Sequence, residues 1–472
     1  MPGTGLIYRP AHELGAMLRE RDLSPLELVD AYLERIEAID SKVRAYITVC
    51  GDEARAQARE AEAAISRGGY IGPMHGIPVA VKDQFDTKGL RTTMGSRIYA
   101  DNVPDGDSTV TAKLKEAGAV LLGKLNMTEF AFGDTREYVF GTPRNPWNLD
   151  RIPGMSSSGS GIAVSAGMAT VAIGEDTGGS VRLPAAMCGI VGLRPTSGRI
   201  SRYRVFPMCW SMDIAGPMTR TVRDCAELLA VIAGHDPLDP MTSRRPVDDY
   251  SSGLDDGVRG MKVGFLPQMI EMDGVDGDTR AAVNATREVF EGLGAEVVDV
   301  NIPMLELAGP IYIATCDSDA ADTHESLLKQ RHREYDVATR TRLMAASLLP
   351  ASLYHRAQRA RELLRRRMLE ALDQVNVLVS PVVSTPAPEI EEVQRVFVSE
   401  ADVRERIFGA RSLTTPYNLA GLPAISIPCG FSGQGLPIGL QIAGRAFDEA
   451  TVLRVSQAYE GATDWHQRFP EI

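Results

Sequence analysis

Ser24, Pro25 and Glu27 stand in front of Val29, Tyr32, Leu33 and Ile36, an apolar series spaced to line one face of a helix. A serine able to cap, a proline suited to the first turn and a glutamate three residues after the cap predict an amphipathic helix beginning here. A second helix, rich in alanine and charge, is predicted over Glu53–Ser66. The two form an N-terminal helical cover over about 10–67. From Gly76 the pattern changes to short apolar runs separated by glycine-rich turns: Val79–Val81, Ala119–Leu122, Val171–Ile173, Lys262–Phe265, Val377–Val379 and Ala424–Ile427. Helical segments fall between them at Thr109–Ala117, Ser160–Gly167, Val222–Ala233 and Arg280–Leu293. Alternating strands and helices predict an α/β fold, with a mixed, largely parallel central sheet covered by helices on both faces.

Asp236–Gly260, rich in Pro, Asp and Ser, reads as an exposed loop between an N-terminal and a C-terminal portion. Tyr354–Leu372 reads as a helix whose many arginines form a solvated face. The uncharged stretch Ile152–Gly174 is too rich in Gly and Ser, and its apolar part too short, to cross a bilayer.

At 472 residues, 44% hydrophobic and 24% charged, the chain can bury a large core. Fifty basic against 62 acidic side chains leave a net charge of -12, which repels phosphate backbones and anionic headgroups. Neither nucleic acid nor membrane is expected as a partner. Cys50, Cys188, Cys209, Cys225, Cys316 and Cys429 are scattered without metal-ligand spacing, which suits unpaired thiols in a reducing compartment. With no basic and apolar leader in Met1–Pro10, the cytoplasm is the expected location.

The chemistry is concentrated in two loops, Gly154–Gly161 and Gly174–Ser180. A helix over 160–167 followed by a strand over 170–173 brings both to one edge of the sheet, facing each other. Their glycines leave consecutive backbone N–H groups free to converge on an anion, either a phosphate or the oxyanion of acyl transfer. Neither phosphate motif, G-x-x-x-x-G-K-[ST] or G-x-G-x-x-G, is present at these loops, so acyl transfer is the reading that survives. Ser180, after Gly178-Gly179, is the natural nucleophile, although a single Gly-Gly-Ser taken alone is most often a structural turn. All seven histidines lie outside the loops, and no G-x-S-x-G elbow surrounds Ser180. Lys82, at the end of Val79-Ala80-Val81, is a candidate base for a Ser-Lys arrangement: a lone Lys at a strand end is usually exposed and inert, but burial among neutral groups would lower its pKa and let the neutral amine accept a proton.

These residues resemble the amidase signature family. The resemblance rests on Gly76-Ile77-Pro78-Val79-Ala80-Val81-Lys82-Asp83, Gly123–Phe130, Asn145-Pro146-Trp147-Asn148, the Gly154–Gly161 loop, Asp176–Ala185 and Asn418–Ala424. It spans nearly the whole chain and is weakest between about Leu266 and Ile407. It implies a single amidase domain over 1–472, with a signature core about 76–235 and a variable substrate-site region about 266–407. It further implies a Ser, cis-Ser, Lys triad of Ser180, Ser156 and Lys82, an oxyanion hole from the amides of Thr177, Gly178, Gly179 and Ser180, and no metal or cofactor. Met127, Phe130 and Met155 are the candidates for substrate contact. Three positions depart from the family pattern: Met155 and Ser158 stand where Gly is commonest, and Glu175 where Thr or Ser is usual.

The activity so implied is hydrolysis of a linear carboxylic amide, with esters and carbamates open to the same acyl chemistry. The expected partner is a small-molecule amide, the enzyme standing alone or as a homodimer. A second reading is the A subunit of a tRNA-dependent amidotransferase, which makes ammonia from glutamine. Against it, Asp317–His324 lacks the Arg-Tyr-Asp-Gly usual there. A catalytically dead binding protein is disfavoured, since Lys82, Ser156 and Ser180 are all present.

Overall fold

The computed structural model describes residues 4–133, 138–394, 399 and 413–472. Part of the expected variable region, at 395–398 and 400–407, lies outside the described residues, as do 134–137 within the expected signature core.

The capping signal at Ser24 builds what it predicts. Ser24 Oγ accepts from the Leu26 and Glu27 amides at 3.0 and 3.4 Å, while Ser24 N–H donates back to Glu27 at 3.3 Å. The helix runs over Pro25–Val43 and ends on Arg44 in the left-handed conformation. Its buried face carries Leu28, Val29, Tyr32, Leu33, Ile36, Ile39 and Val43, and it packs on a second helix, Gly51–Ser66. The other predicted helices appear at Thr109–Glu116, Ser158–Ser165, Val222–Ile232, Gly277–Gly292 and Ala351–Leu372.

Eleven strands make one sheet. They are β1 (Tyr46–Val49), β2 (Pro78–Lys82), β3 (Val120–Leu125), β4 (Val171–Glu175), β5 (Val191–Arg194), β6 (Ala215–Thr219), β7 (Lys262–Phe265), β8 (Glu296–Asp299), β9 (Val377–Pro381), β10 (Ala424–Phe431) and β11 (Pro437–Ala443). Their order across the sheet is β1-β3-β2-β4-β6-β5-β10-β11-β9-β7-β8. The sheet is mixed and flanked by helices, as expected. Its parallel share is smaller than expected: four strand pairs are parallel and six antiparallel among the described residues. The antiparallel pairs come from β1, β5, β6, β10 and β11. Apart from β10 these strands carry no plain apolar run, and β6 holds Gly216-Pro217, a pair that reads as a turn.

Strands from both sides of the 236–260 loop join this one sheet. A large buried cluster spans the N-terminal helices and most of the strands, and a second gathers Met127, Phe130, Tyr312, Leu364 and Tyr417 around the helices 308–331 and 351–372. The arginines of the latter helix are solvated as expected except Arg361, which donates to Leu419 O at 2.8 Å and to Ser211 Oγ and O at 3.0 Å.

Two parallel neighbours set the site. β2 and β4 pair with Val81 opposite Ile173, so Lys82 and Glu175 leave the sheet at the same edge.

Candidate active site

The two glycine-rich loops face each other, held together by one hydroxyl. Ser157 Oγ accepts from Glu175 N–H and donates to Glu175 O, each at 3.2 Å. Ser157 N–H also donates to Ser180 O at 3.3 Å. The Met155–Ser156 peptide is cis, and Lys82 Nζ lies 2.7 Å from Ser156 Oγ. The structure thus brings Lys82 and Ser156 into direct contact and seats Ser180 one backbone bond away. Lys82 and Ser156 are buried, and Ser180 is half-buried.

Lys82 has two further contacts, Glu175 O at 3.4 Å and Glu175 Oε2 at 3.3 Å. Burial pushes the Lys82 ammonium down from its ordinary pKa, and the Glu175 charge pulls the other way. The second loop is organised by Asp176. Its carboxylate accepts from Gly179 N–H at 2.9 Å, Val181 N–H at 3.2 Å, Arg182 at 3.0 and 3.1 Å, and Asn418 Nδ2 at 2.7 Å. Arg194 pairs with the same carboxylate and donates to Asp176 O. Burial alone would raise Asp176, but the Arg182 and Arg194 guanidinium groups hold it well below the usual carboxylate range.

Gly179 is therefore a correction to the expected oxyanion hole, because its N–H is committed to Asp176. The amides of Thr177, Gly178 and Ser180 have no acceptor among the described residues. Gly178 is forced by crowding: a Cβ there would lie 2.5 Å from the Tyr312 hydroxyl.

Of the three candidate contact residues, Met155 is half-buried, whereas Met127 and Phe130 are enclosed in the core. Phe130 packs at 4.9 Å from Phe206 and 4.7 Å from His324, ring centre to ring centre. Their role is packing from behind. No local signal marks that role, because large apolar residues near a site look alike in sequence whether exposed or enclosed.

Sequence reasoning missed Asp213, Arg194 and Asn418. Asp213 lies just before β6, and its Oδ1 is 2.7 Å from Thr177 Oγ1, which is in turn 2.6 Å from Glu175 Oε1. Burial, then the Glu175 charge, pushes Asp213 up to about 7. Asn418 sits within the Asn418–Ala424 motif, which was the one available signal.

The amidase family profile matches residues 27–453. This chain belongs to the amidase family. Like other amidases it acts on amide C–N bonds, and its relatives span it end to end. It is 44% identical to the A subunit of glutamyl-tRNA(Gln) amidotransferase from Geobacter metallireducens, over 96% of this chain and 97% of that one. The solved structure of the corresponding Thermotoga maritima protein superposes with a TM-score of 0.79 at 35% identity, covering 92% of this chain and 91% of that one. A peptide amidase bound to the competitive inhibitor chymostatin gives 0.85 at 31% identity, covering 98% and 99%. These amidase relatives overturn one expectation. A small-amide enzyme without nucleic acid, alone or as a homodimer, does not fit curated relatives that are, by name, subunits of an enzyme of glutamyl-tRNA(Gln). Net charge failed as a guide because it describes the whole surface and not the patch that meets a partner. Among the described residues no helix is long and apolar enough to cross a membrane.

Proposed function

We propose that Ser180 attacks the amide carbonyl and carries the acyl group, with Lys82 as base and Ser156 as the bridging serine. The supporting observation is the 2.7 Å contact between buried Lys82 Nζ and Ser156 Oγ beside the Ser180 loop. As the Ser180 Oγ–carbon bond forms, its proton passes to Ser156, whose own goes to the neutral Lys82 amine. The amides of Thr177, Gly178 and Ser180 stabilise the oxyanion. The relay then protonates the departing nitrogen as the C–N bond breaks, and water enters by the same path in reverse. Met155 lines the approach to this serine pair.

For the substrate, the relatives favour the side-chain amide of glutamine, with ammonia released to an assembly in which this chain is the glutamine-hydrolysing component. Their identity runs from end to end. A different linear carboxylic amide is the second reading, supported by 317–324: this segment lacks Arg-Tyr-Asp-Gly, lies in the helix Ala308–Arg331, and has Asp317 paired with Arg342. The six unpaired cysteines suit a reducing cytoplasm.

Incubating the purified protein with glutamine and with a series of amides, while measuring ammonia or amine, separates the two. Release from glutamine supports the first; turnover of other amides with none from glutamine supports the second. Ser180→Ala should abolish both turnover and labelling by a fluorophosphonate without changing the circular dichroism. Labelling that persists in the folded variant places the nucleophile elsewhere.

A further inference from the structure

Glu175 occupies a place where this family usually has a short hydroxyl residue, and the structure gives its carboxylate two distinct neighbours. One oxygen, Oε2, lies 3.3 Å from Lys82 Nζ, with both side chains shut off from solvent. The other, Oε1, lies 2.6 Å from Thr177 Oγ1, which is 2.7 Å from Asp213 Oδ1. A hydroxyl has one hydrogen to donate. Two ionised carboxylates cannot both take it, and the unserved one would face Thr177 lone pair to lone pair at hydrogen-bond distance. The pair Glu175 and Asp213 therefore holds a proton between them, one carboxyl donating to Thr177 and the other accepting from it.

Asp213 is the natural holder of that proton, since burial and the neighbouring Glu175 charge push it up to about 7. Its oxygens also accept from Met208 N–H at 2.8 Å and Cys209 N–H at 2.9 Å. Glu175, left as the carboxylate, faces Lys82. A cavity of about 290 Å³ runs from Tyr203 and Trp210 at the surface down to Glu175 and Asp213, which lets water exchange protons with this otherwise enclosed pair.

We propose that Glu175 is a positioning residue for this reaction: bound to Lys82 on one side and sharing a proton with Asp213 through Thr177 on the other, it sets the pH at which Lys82 is released as a base. The inference rests on Lys82 being that base. The charged groups around it are accounted for. Asp176, the next residue, is neutralised by Arg182 and Arg194. Arg202, Arg204 and Asp239 line the cavity, where Arg202 pairs with Asp239 and Arg204 with Asp105. Glu175 is thus the carboxylate in direct contact with Lys82, and Asp213 modulates it from the far side of Thr177.

An anion beside Lys82 favours its ammonium form, which cannot accept a proton, so the native enzyme loses activity at a higher pH on its acid side than it would without Glu175. The probe is the rate of fluorophosphonate labelling of Ser180, which needs no knowledge of the substrate, measured from about pH 5 to about pH 10. Glu175→Gln keeps the shape and removes the charge, and its acid limb should move down by about one pH unit or more. Glu175→Thr, a smaller side chain, should move it the same way, and Glu175→Asp, which retains the charge, should move it back toward native. Glu175→Gln and Glu175→Thr proteins that lose rate at all pH values, with the limb unmoved, overturn the inference and leave Glu175 a purely structural residue. Failure of the underlying assignment looks different: Lys82→Ala would then label as fast as the native protein across the whole range.

Discussion

The Gly179 N–H donates to Asp176 Oδ1 at 2.9 Å, turning one member of the glycine loop inward. With that N–H occupied, the amides of Thr177, Gly178 and Ser180 are left without an acceptor among the described residues, and the buried carboxylate holds a turn that glycine at 179, with φ +117°, allows.

Asp176→Asn should therefore be costly. It leaves Arg182 and Arg194 buried beside a neutral amide, and breaking such a pair by removing one partner costs about 3–5 kcal/mol. Urea unfolding at neutral pH measures the loss. Because the folded carboxyl titrates below its unfolded value, its contribution is complete above about pH 4 and disappears as acid protonates the folded form. The gap between the native and variant proteins should narrow in acid.

Lys82→Arg tests the base with a group that stays charged. Its kcat/KM should fall by about 100-fold or more, the scale of lost general-base catalysis. In the native protein activity should decline as pH falls through the pKa of Lys82, which burial has pushed down. An arginine variant with near-native turnover rules the assignment out.

Met155→Gly addresses specificity. Met155 is half-buried and directly precedes Ser156 in the chain. Removing it should raise kcat/KM for bulky amides relative to small ones by an amount equivalent to about 1–3 kcal/mol. Uniform slowing across a size series would instead mean that Met155 supports the loop.

Far from the site, Glu460 accepts from Val222 N–H at 3.1 Å with both oxygens. Burial pushes it up to about 8. The unfolded chain ionises this carboxyl first, so stability should decline as pH rises from about 4.5 toward about 8 and level off beyond. Glu460→Gln should flatten that decline in melting curves recorded across this range.

The features legible in the sequence were those carried by neighbours in the chain. The Ser24 cap, the apolar runs of β2 and β4, and the two small-residue loops each announce themselves within a few residues, and the convergence of Lys82 with the loops follows from strands that run parallel. Asp213 and Asn418 were hidden for the opposite reason. They reach Thr177 and Asp176 across 36 and 242 residues of chain, and only the pairing of the intervening strands decides that they meet. Strands such as β5 and β6 were invisible because Arg194, Gly216 and Pro217 break the alternation that marks a strand, Arg194 serving the Asp176 network and Gly216 the close packing against Leu193 and Val181. Glu175 stood out as unusual, yet nothing local announced that its partner was Lys82.

The strand order also has a consequence for synthesis. β10 and β11, among the last elements to leave the ribosome, lie between β5 and β9 and, among the described residues, are the only strands that bridge those formed early and those formed in the middle of the chain. Until this hairpin arrives, two partial sheets each expose an unpaired edge, the kind of surface that recruits chaperones or aggregates. Gln441 of β11 accepts from Arg182 at 2.6 Å, and Asn418, just upstream of β10, does the same. In the nascent chain Arg182 therefore gains these two partners only at the stage when the sheet closes.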